Sequence, residues 1–150
     1  MREIIEFYDG NFAQALAEIC AKAKTAAAWS VTDFQTEAQQ KTSKIFILTE
    51  NENNTKTVLG FCAARFAFET AEITNFAILS QVQRKHFGTE LFAHTLNFLK
   101  DQGVKEVTLE VSSKNIPAQE FYKKFKFVSV SIRKNFYNMG EDGLILKLNL

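Results

Sequence analysis

The sequence has almost no charge imbalance: 18 lysines and arginines face 17 aspartates and glutamates, for a formal net charge of +1. That near-balance argues against a protein that binds nucleic acid, or an anionic membrane surface, through bulk charge. Cysteine is scarce. The two present, Cys20 and Cys62, lack metal-ligand spacing, and neither has a histidine at a distance that points to a thiol nucleophile. They fit a reduced, cytoplasmic protein with two buried thiols, and no metal is expected. No apolar run approaches the roughly 20 residues of a membrane span. The start, Met1 to Glu6, is too short and too charged for a secretory leader. The chain also has no internal repeat and no low-complexity linker, so residues 1–150 are expected to form one domain.

What is present is ordinary globular material. Hydrophobic residues make up 46% of 150, enough for a sizeable core. Phenylalanine is heavily used, 15 residues against 3 Tyr and 1 Trp, and its bulk is read as core packing.

Hydrophobic period and turn residues give an order of elements. Ile4 to Tyr8 reads as a strand closed by Asp9-Gly10-Asn11, and Phe12 to Ala28 as an Ala-rich amphipathic helix. Ser30 or Thr32 caps a second helix running to about Gln40. Lys44–Thr49, Thr57–Phe66 and Ala71–Leu79 follow as antiparallel strands, the first two joined by a polar loop over Glu50–Asn54. Gly60 marks a bulge or a close-packed point. A helix of about 14 residues after Gly88 ends at Gly103, followed by a strand over Glu106–Val111. Asn115 opens another helix with Pro117 in its first turn. Phe127–Ile132 is a strand, Arg133–Gly143 a link, and Leu144–Leu148 the last strand. The fold class is α/β with a mixed sheet.

The stretch Asn75 to Thr89 stands out. A strand runs into a short basic connection and then a helix N-terminus, where unpaired N–H groups and the helix dipole favour an anion. Read alone, it is equally an ordinary strand–loop–helix connection with a solvated turn. Glu110, near the end of its strand, is either a proton acceptor in a cleft or a salt-bridge partner. Tyr122 is either a proton donor or a packed aromatic. Asn115 is a helix cap with or without a ligand, and His94 is structural.

The order of elements and several motifs together resemble the Gcn5-related N-acetyltransferase (GNAT) superfamily, over nearly the whole chain. Gln83-Arg84-Lys85-His86-Phe87-Gly88 falls where that family has its acyl-CoA loop. Asn75-Phe76-Ala77-Ile78, the run Leu109 to Ala118, Tyr122, Arg133-Lys134-Asn135-Phe136-Tyr137 and Trp29-Ser30 resemble the branch that acetylates ribosomal-protein alanine N-termini. The resemblance implies a twisted, mostly antiparallel mixed sheet of about seven strands flanked by about four helices. It implies acetyl-CoA as cosubstrate and direct transfer within a ternary complex. It gives Glu110 the role of base and Tyr122 that of acid. Phe76, Ala77, Ile78 and Asn115 would hold the pantetheine arm, and Arg84, Lys85, His86, Phe87, Gly88 and Thr89 the pyrophosphate. The acceptor would be a protein N-terminus, most plausibly of a small-subunit ribosomal protein beginning with Ala. No nucleic acid or membrane partner is implied, and a monomer or weak homodimer is expected. Glu141-Asp142 and Tyr137 align with the acceptor end, or form a solvated loop.

Two positions depart from the family pattern. His86 and Lys126 stand where the family has glycine, which is used for positive φ or for close backbone approach. Retained coenzyme binding is expected, and whether the two replacements weaken it is left open by the sequence. Two other functions remain open on the sequence alone: transfer to a small amine or a Lys side chain, and a degenerate acyl-CoA-binding module.

Overall fold

The computed structural model describes residues 1–7, 12–23, 27–83, 86–137 and 140–150. The expected turn at Asp9–Asn11 lies outside the described residues.

Period-two alternation divides the strands between two cores. In β2 (Ser43–Glu52), Ile45 and Ile47 belong to one cluster, while Phe46 and Leu48 belong to the other. The first cluster packs against α1 (Ala13–Lys22) and α2 (Val31–Ala38), through Leu16, Ile19, Cys20 and Phe34. The second packs against α3 (Phe87–Asp101) and α4 (Ile116–Lys124), with Leu91, Phe92, Leu96 and Leu99 buried along one helical stripe. Both faces of the sheet are therefore apolar where helices cover them.

The remaining strands are β1 (Arg2–Glu6), β3 (Thr55–Ala67), β4 (Thr70–Ile78), β5 (Glu106–Ser112), β6 (Val128–Tyr137) and β7 (Glu141–Asn149). They form a seven-stranded sheet in the order β1-β2-β3-β4-β5-β7-β6. Every neighbouring pair is antiparallel except β4 and β5. The mixed, mostly antiparallel sheet with four helices is as expected.

Local chemistry explains the element ends. Ser30 makes a full capping box with Asp33: the Ser30 Oγ accepts from the Asp33 N–H, and the Ser30 N–H donates back to the Asp33 carboxylate at 2.8 Å. Asn115 accepts from the Ala118 N–H at 3.2 Å, with Pro117 tolerated in the first turn. Gly103, at φ 90°, ends α3, and the Val104 N–H reaches the Leu99 carbonyl at 3.0 Å.

Four boundaries differ from the sequence reading. α1 stops at Lys22, because Ala23 is already extended. The polar loop after β2 is a two-residue turn, since Asn53 and Asn54 both take positive φ and the strands run up to them. α3 begins at Phe87, one residue before Gly88. The expected link over 133–143 is mostly strand: β6 continues to Tyr137 and β7 starts at Glu141, with register shifts and Asn135 at φ 52°. The sheet-edge position of β6 explains this, because its residues 128–136 are exposed, so burial imposes no apolar face on the stretch after Ile132.

Candidate active site

The site exists because β4 and β5 part. Their parallel pairing holds for three residue pairs, Thr70–Glu106, Ala71–Val107 and Glu72–Thr108. Beyond Thr108 the two strands diverge, while each stays bonded to its other neighbour. β4 is also bulged at this point, because Ala63 and Ala64 of β3 face Asn75 and Ile73, leaving Thr74 without a counterpart. The opening is a cavity of about 840 Å³ lined by Thr74, Asn75 and Phe76 on one wall and Glu110, Asn115 and Tyr122 on the other. Sequence-predicted Glu110, Tyr122, Asn115 and Phe76 thus come together in one cleft.

Three buried polar atoms in this cleft have no hydrogen-bond partner among the described residues: Thr74 Oγ1, Asn75 Oδ1 and Asn115 Nδ2. Leaving such groups unpaired costs about 1–3 kcal/mol each, so they fit a ligand that supplies both donors and acceptors. A pantetheine arm, with its amides, is chemistry of that kind, and so is a peptide.

Glu110 alternates along β5 with the core residues Leu109 and Val111, so its carboxylate faces the side away from α3 and α4. Arg133 Nη1 donates to Glu110 Oε1 at 3.0 Å, and the Arg133 guanidinium lies over the Phe136 ring at 4.1 Å. Gly143 lies beneath the same carboxylate, where a Cβ would stand 3.1 Å from Oε2.

Tyr122 is fixed by rings: Phe121 at 5.4 Å, Phe92 at 5.5 Å and Phe127 at 5.9 Å. Its helix ends in a complete Schellman motif. The Phe127 N–H donates to the Tyr122 carbonyl at 3.2 Å, the Lys126 N–H donates to that of Lys123 at 2.9 Å, and Lys126 takes φ 75°. Gln119 Nε2 donates to the carbonyls of Ser112 and Ser113, tying α4 to the end of β5.

At the α3 end, His86 is the N-cap residue in the left-handed region, φ 64°, without a side-chain cap. Both departures from glycine therefore occupy positive φ. Gly88 packs tightly: a Cβ there would meet Ile78 Cγ1 at 3.3 Å and the Phe76 ring at 3.5 Å. Phe76 itself stacks on Phe121 at 5.5 Å. Ala77 and Ile78 continue β4, with Ala77 in the α1 core and Ile78 in the α3 core. Phe87 and Thr89 sit in the first turn of α3. Arg84 and Lys85, the expected pyrophosphate cations, lie outside the described residues.

The cavity also carries residues that the sequence reading did not assign to the site: Ala27, Glu72, Thr108, Arg133, Phe136 and Ile145 line it with Glu110. Arg133 and Phe136 fall in a stretch that reads as a link in the sequence, whereas both stand on β6. Glu141 also lines the cavity and accepts a hydrogen bond from Ser112 Oγ. Asp142 accepts from the Asn135 N–H at 3.0 Å, a bond that holds its carboxyl below the usual range, with Lys134 adding to it. These two residues belong to β7 and not to a free loop.

The remaining candidates are structural. Cys62 is fully buried, and burial pushes its thiol up to about 12 despite a hydrogen bond with Thr95, so no thiolate forms near neutral pH. His94 packs edge-on against Phe46 at 4.9 Å. Among the described residues, no group of three metal-ligating side chains occurs, and no helix is long and apolar enough to cross a membrane.

The fold and sequence both have known relatives. A Bacillus subtilis protein, provisionally named a ribosomal protein bS18-alanine N-acetyltransferase, is 31% identical over 79% of this chain and 77% of its own. The crystal structure of the ribosomal-protein-S18-alanine N-acetyltransferase from Escherichia coli superposes with a TM-score of 0.85 at 27% identity, covering 99% of this chain and 94% of that one. A GNAT family acetyltransferase from Elizabethkingia anophelis, solved with acetyl-CoA bound, shares the fold with a TM-score of 0.75 at 20% identity, covering 99% and 98%. The model of the Acetyltransferase (GNAT) family matches residues 12–127, a span that holds the diverging strands, Glu110 and Tyr122. The chain belongs to the GNAT acetyltransferase family.

Proposed function

We propose that the protein transfers the acetyl group of acetyl-CoA to the N-terminal α-amine of a protein, a small-subunit ribosomal protein of the bS18 kind beginning with alanine. The observation that carries this reading is that Glu110 and Tyr122 line one cavity opened by the parting of β4 and β5. The names of the relatives support the acceptor.

In this reading acetyl-CoA enters from the α3–α4 side, its pantetheine arm against Phe76, Ala77, Ile78 and Asn115. Its pyrophosphate meets the turn from Arg84 to Thr89. The acceptor amine enters beside Glu110. An α-amine has a reference pKa of about 7.7–8.0, so a carboxylate base has a modest task. The neutral nitrogen attacks the thioester carbonyl, and a C–N bond forms as the C–S bond breaks. The electron pair leaves on sulfur, the amine proton passes to Glu110, and Tyr122 gives the thiolate its proton. No acyl-enzyme forms.

The test is thiol release from acetyl-CoA with three acceptor sets: Ala-initiated peptides, Lys peptides with blocked N-termini, and polyamines. Turnover is expected with the first set alone. Turnover confined to either other set overturns the acceptor, and no turnover at all overturns the activity.

A further inference from the structure

We propose that Arg133 is a positioning residue for Glu110, holding one carboxylate oxygen so that the other is presented to the acceptor amine. The inference rests on the reading of Glu110 as base and adds the residue through which that base is aimed.

The two oxygens of Glu110 have different surroundings. Oε1 accepts from Arg133 Nη1 at 3.0 Å, whereas Oε2 lies over Gly143, with no hydrogen bond among the described residues. A glutamate has three side-chain torsions, and an unanchored carboxylate would sample several rotamers. Here the ion pair removes that freedom on one side, and the bare Gly143 backbone leaves room on the other. The Glu110 side chain is 18% exposed and that of Arg133 55%, so the guanidinium reaches in from the sheet edge.

Arg133 is itself braced. Its guanidinium lies 4.1 Å from the centre of the Phe136 ring, three residues along the same strand. The register places Arg133 beside Gly143 on β7, and Glu110 beside Ile145 on the far side of β7. The pair therefore spans β7, from β6 to β5. An ion pair whose arginine is half exposed contributes little to stability. A geometric role at the cleft is the better account of a braced arginine on a lining carboxylate.

The experiment compares Arg133→Ala, Arg133→Lys, Glu110→Gln and the double variant Glu110→Gln/Arg133→Ala in the full chain, with acetyl-CoA and an Ala-initiated peptide. Arg133→Ala is expected to lower kcat about ten- to a hundredfold, up to the scale of a catalytic group misplaced by about 1 Å, while KM for acetyl-CoA stays within about twofold. Arg133→Lys keeps the charge but loses the planar fork, and should retain about a third of the rate. Added guanidinium should restore part of the loss in Arg133→Ala. The double variant should be no slower than Glu110→Gln, because Arg133 acts through Glu110. Should Arg133→Ala fail to fold, Phe136→Leu removes the brace and leaves the pair, and a loss in kcat of a fewfold is expected. An unchanged or raised kcat in Arg133→Ala, or in Phe136→Leu where that variant stands in, overturns the proposal. So does a further loss on the Glu110→Gln background. If Glu110→Gln itself turns over at the wild-type rate, the base assignment falls and this inference with it. A slow Glu110→Gln beside an unaffected Arg133→Ala removes the inference alone.

Discussion

The Asn75 side-chain amide donates to the main-chain oxygen of Ala27 at 3.0 Å, joining the bulged strand of the cleft to the segment between the first two helices. Cys20 Sγ donates to the same oxygen and accepts from the Trp29 N–H at 3.3 Å, so four positions share one small, partly buried network. Both Asn75 and Ala27 line the cavity, so the network sets the position of one of its walls.

Asn75→Ala should therefore cost about 1–3 kcal/mol of stability, lowering Tm by several degrees, and should raise KM for a peptide acceptor more than KM for acetyl-CoA. Asn75→Asp should be worse in both respects, because it buries a carboxylate against the Ala27 carbonyl. Thermal unfolding and steady-state kinetics on both variants check the order. An Asp variant as stable as the Ala variant would remove the network from this role.

Lys126 at φ 75° carries the cost of a left-handed residue with a Cβ, in the motif that ends α4 just beyond Tyr122. Lys126→Gly should stabilise the fold by about 0.5–1 kcal/mol, because the strain relieved exceeds the added freedom of the unfolded chain. Denaturant melts with matched slopes measure this directly. His86→Gly, at φ 64°, should move in the same direction and also tighten acetyl-CoA, read by calorimetry.

Glu37 supplies a pH dependence of known sign. Its carboxylate accepts from Arg65 at 2.8 and 2.7 Å and from Ser43 at 2.8 Å, and the Arg65 bonds hold its pKa below the ordinary 4.5 against the cost of burial. A lowered pKa means that the folded state favours the ionised form, so the contribution is full above about pH 4.5 and fades as pH falls through the folded value. Glu37→Gln should cost roughly 1.5 kcal/mol near neutrality, with the exposed side of Arg65 limiting the loss. The gap between variant and wild type should narrow in acid. A gap that stays constant from pH 7 to about pH 3 would contradict the assignment.

Much of the architecture was legible because its signals are local. The Ser30 cap, the Asn115 cap with Pro117 and the Gly103 stop are each decided within a few residues, and each is found where the pattern puts it. Gly60 was read as a bulge or a close-packed point, and it lies at both. A Cβ there would stand 2.7 Å from the Ala77 carbonyl oxygen, and the adjoining register with β2 slips between Leu48 and Thr49. Tyr122 and Glu110 were legible only as motif positions. What brings them to one cavity is the parting of β4 and β5, a relation between segments some thirty-five residues apart that no local period records. The contact of Arg133 with Glu110 was hidden for the same reason. It depends on β7 inserting between β5 and β6, so that the last strand in the chain is not the last in the sheet.

The short seam between β4 and β5 has a mechanical consequence. Two plates, β1 to β4 and β5 to β7, are joined there by only three residue pairs, while every other strand junction is longer. Thr74 and Asn75 stand on one plate, and Asn115 caps α4 just past the end of β5 on the other side, so a molecule bonded to both would bridge the seam. Where the two strands part, the unpaired valences left among the described residues are thus those of three buried side chains, open to a bridging molecule.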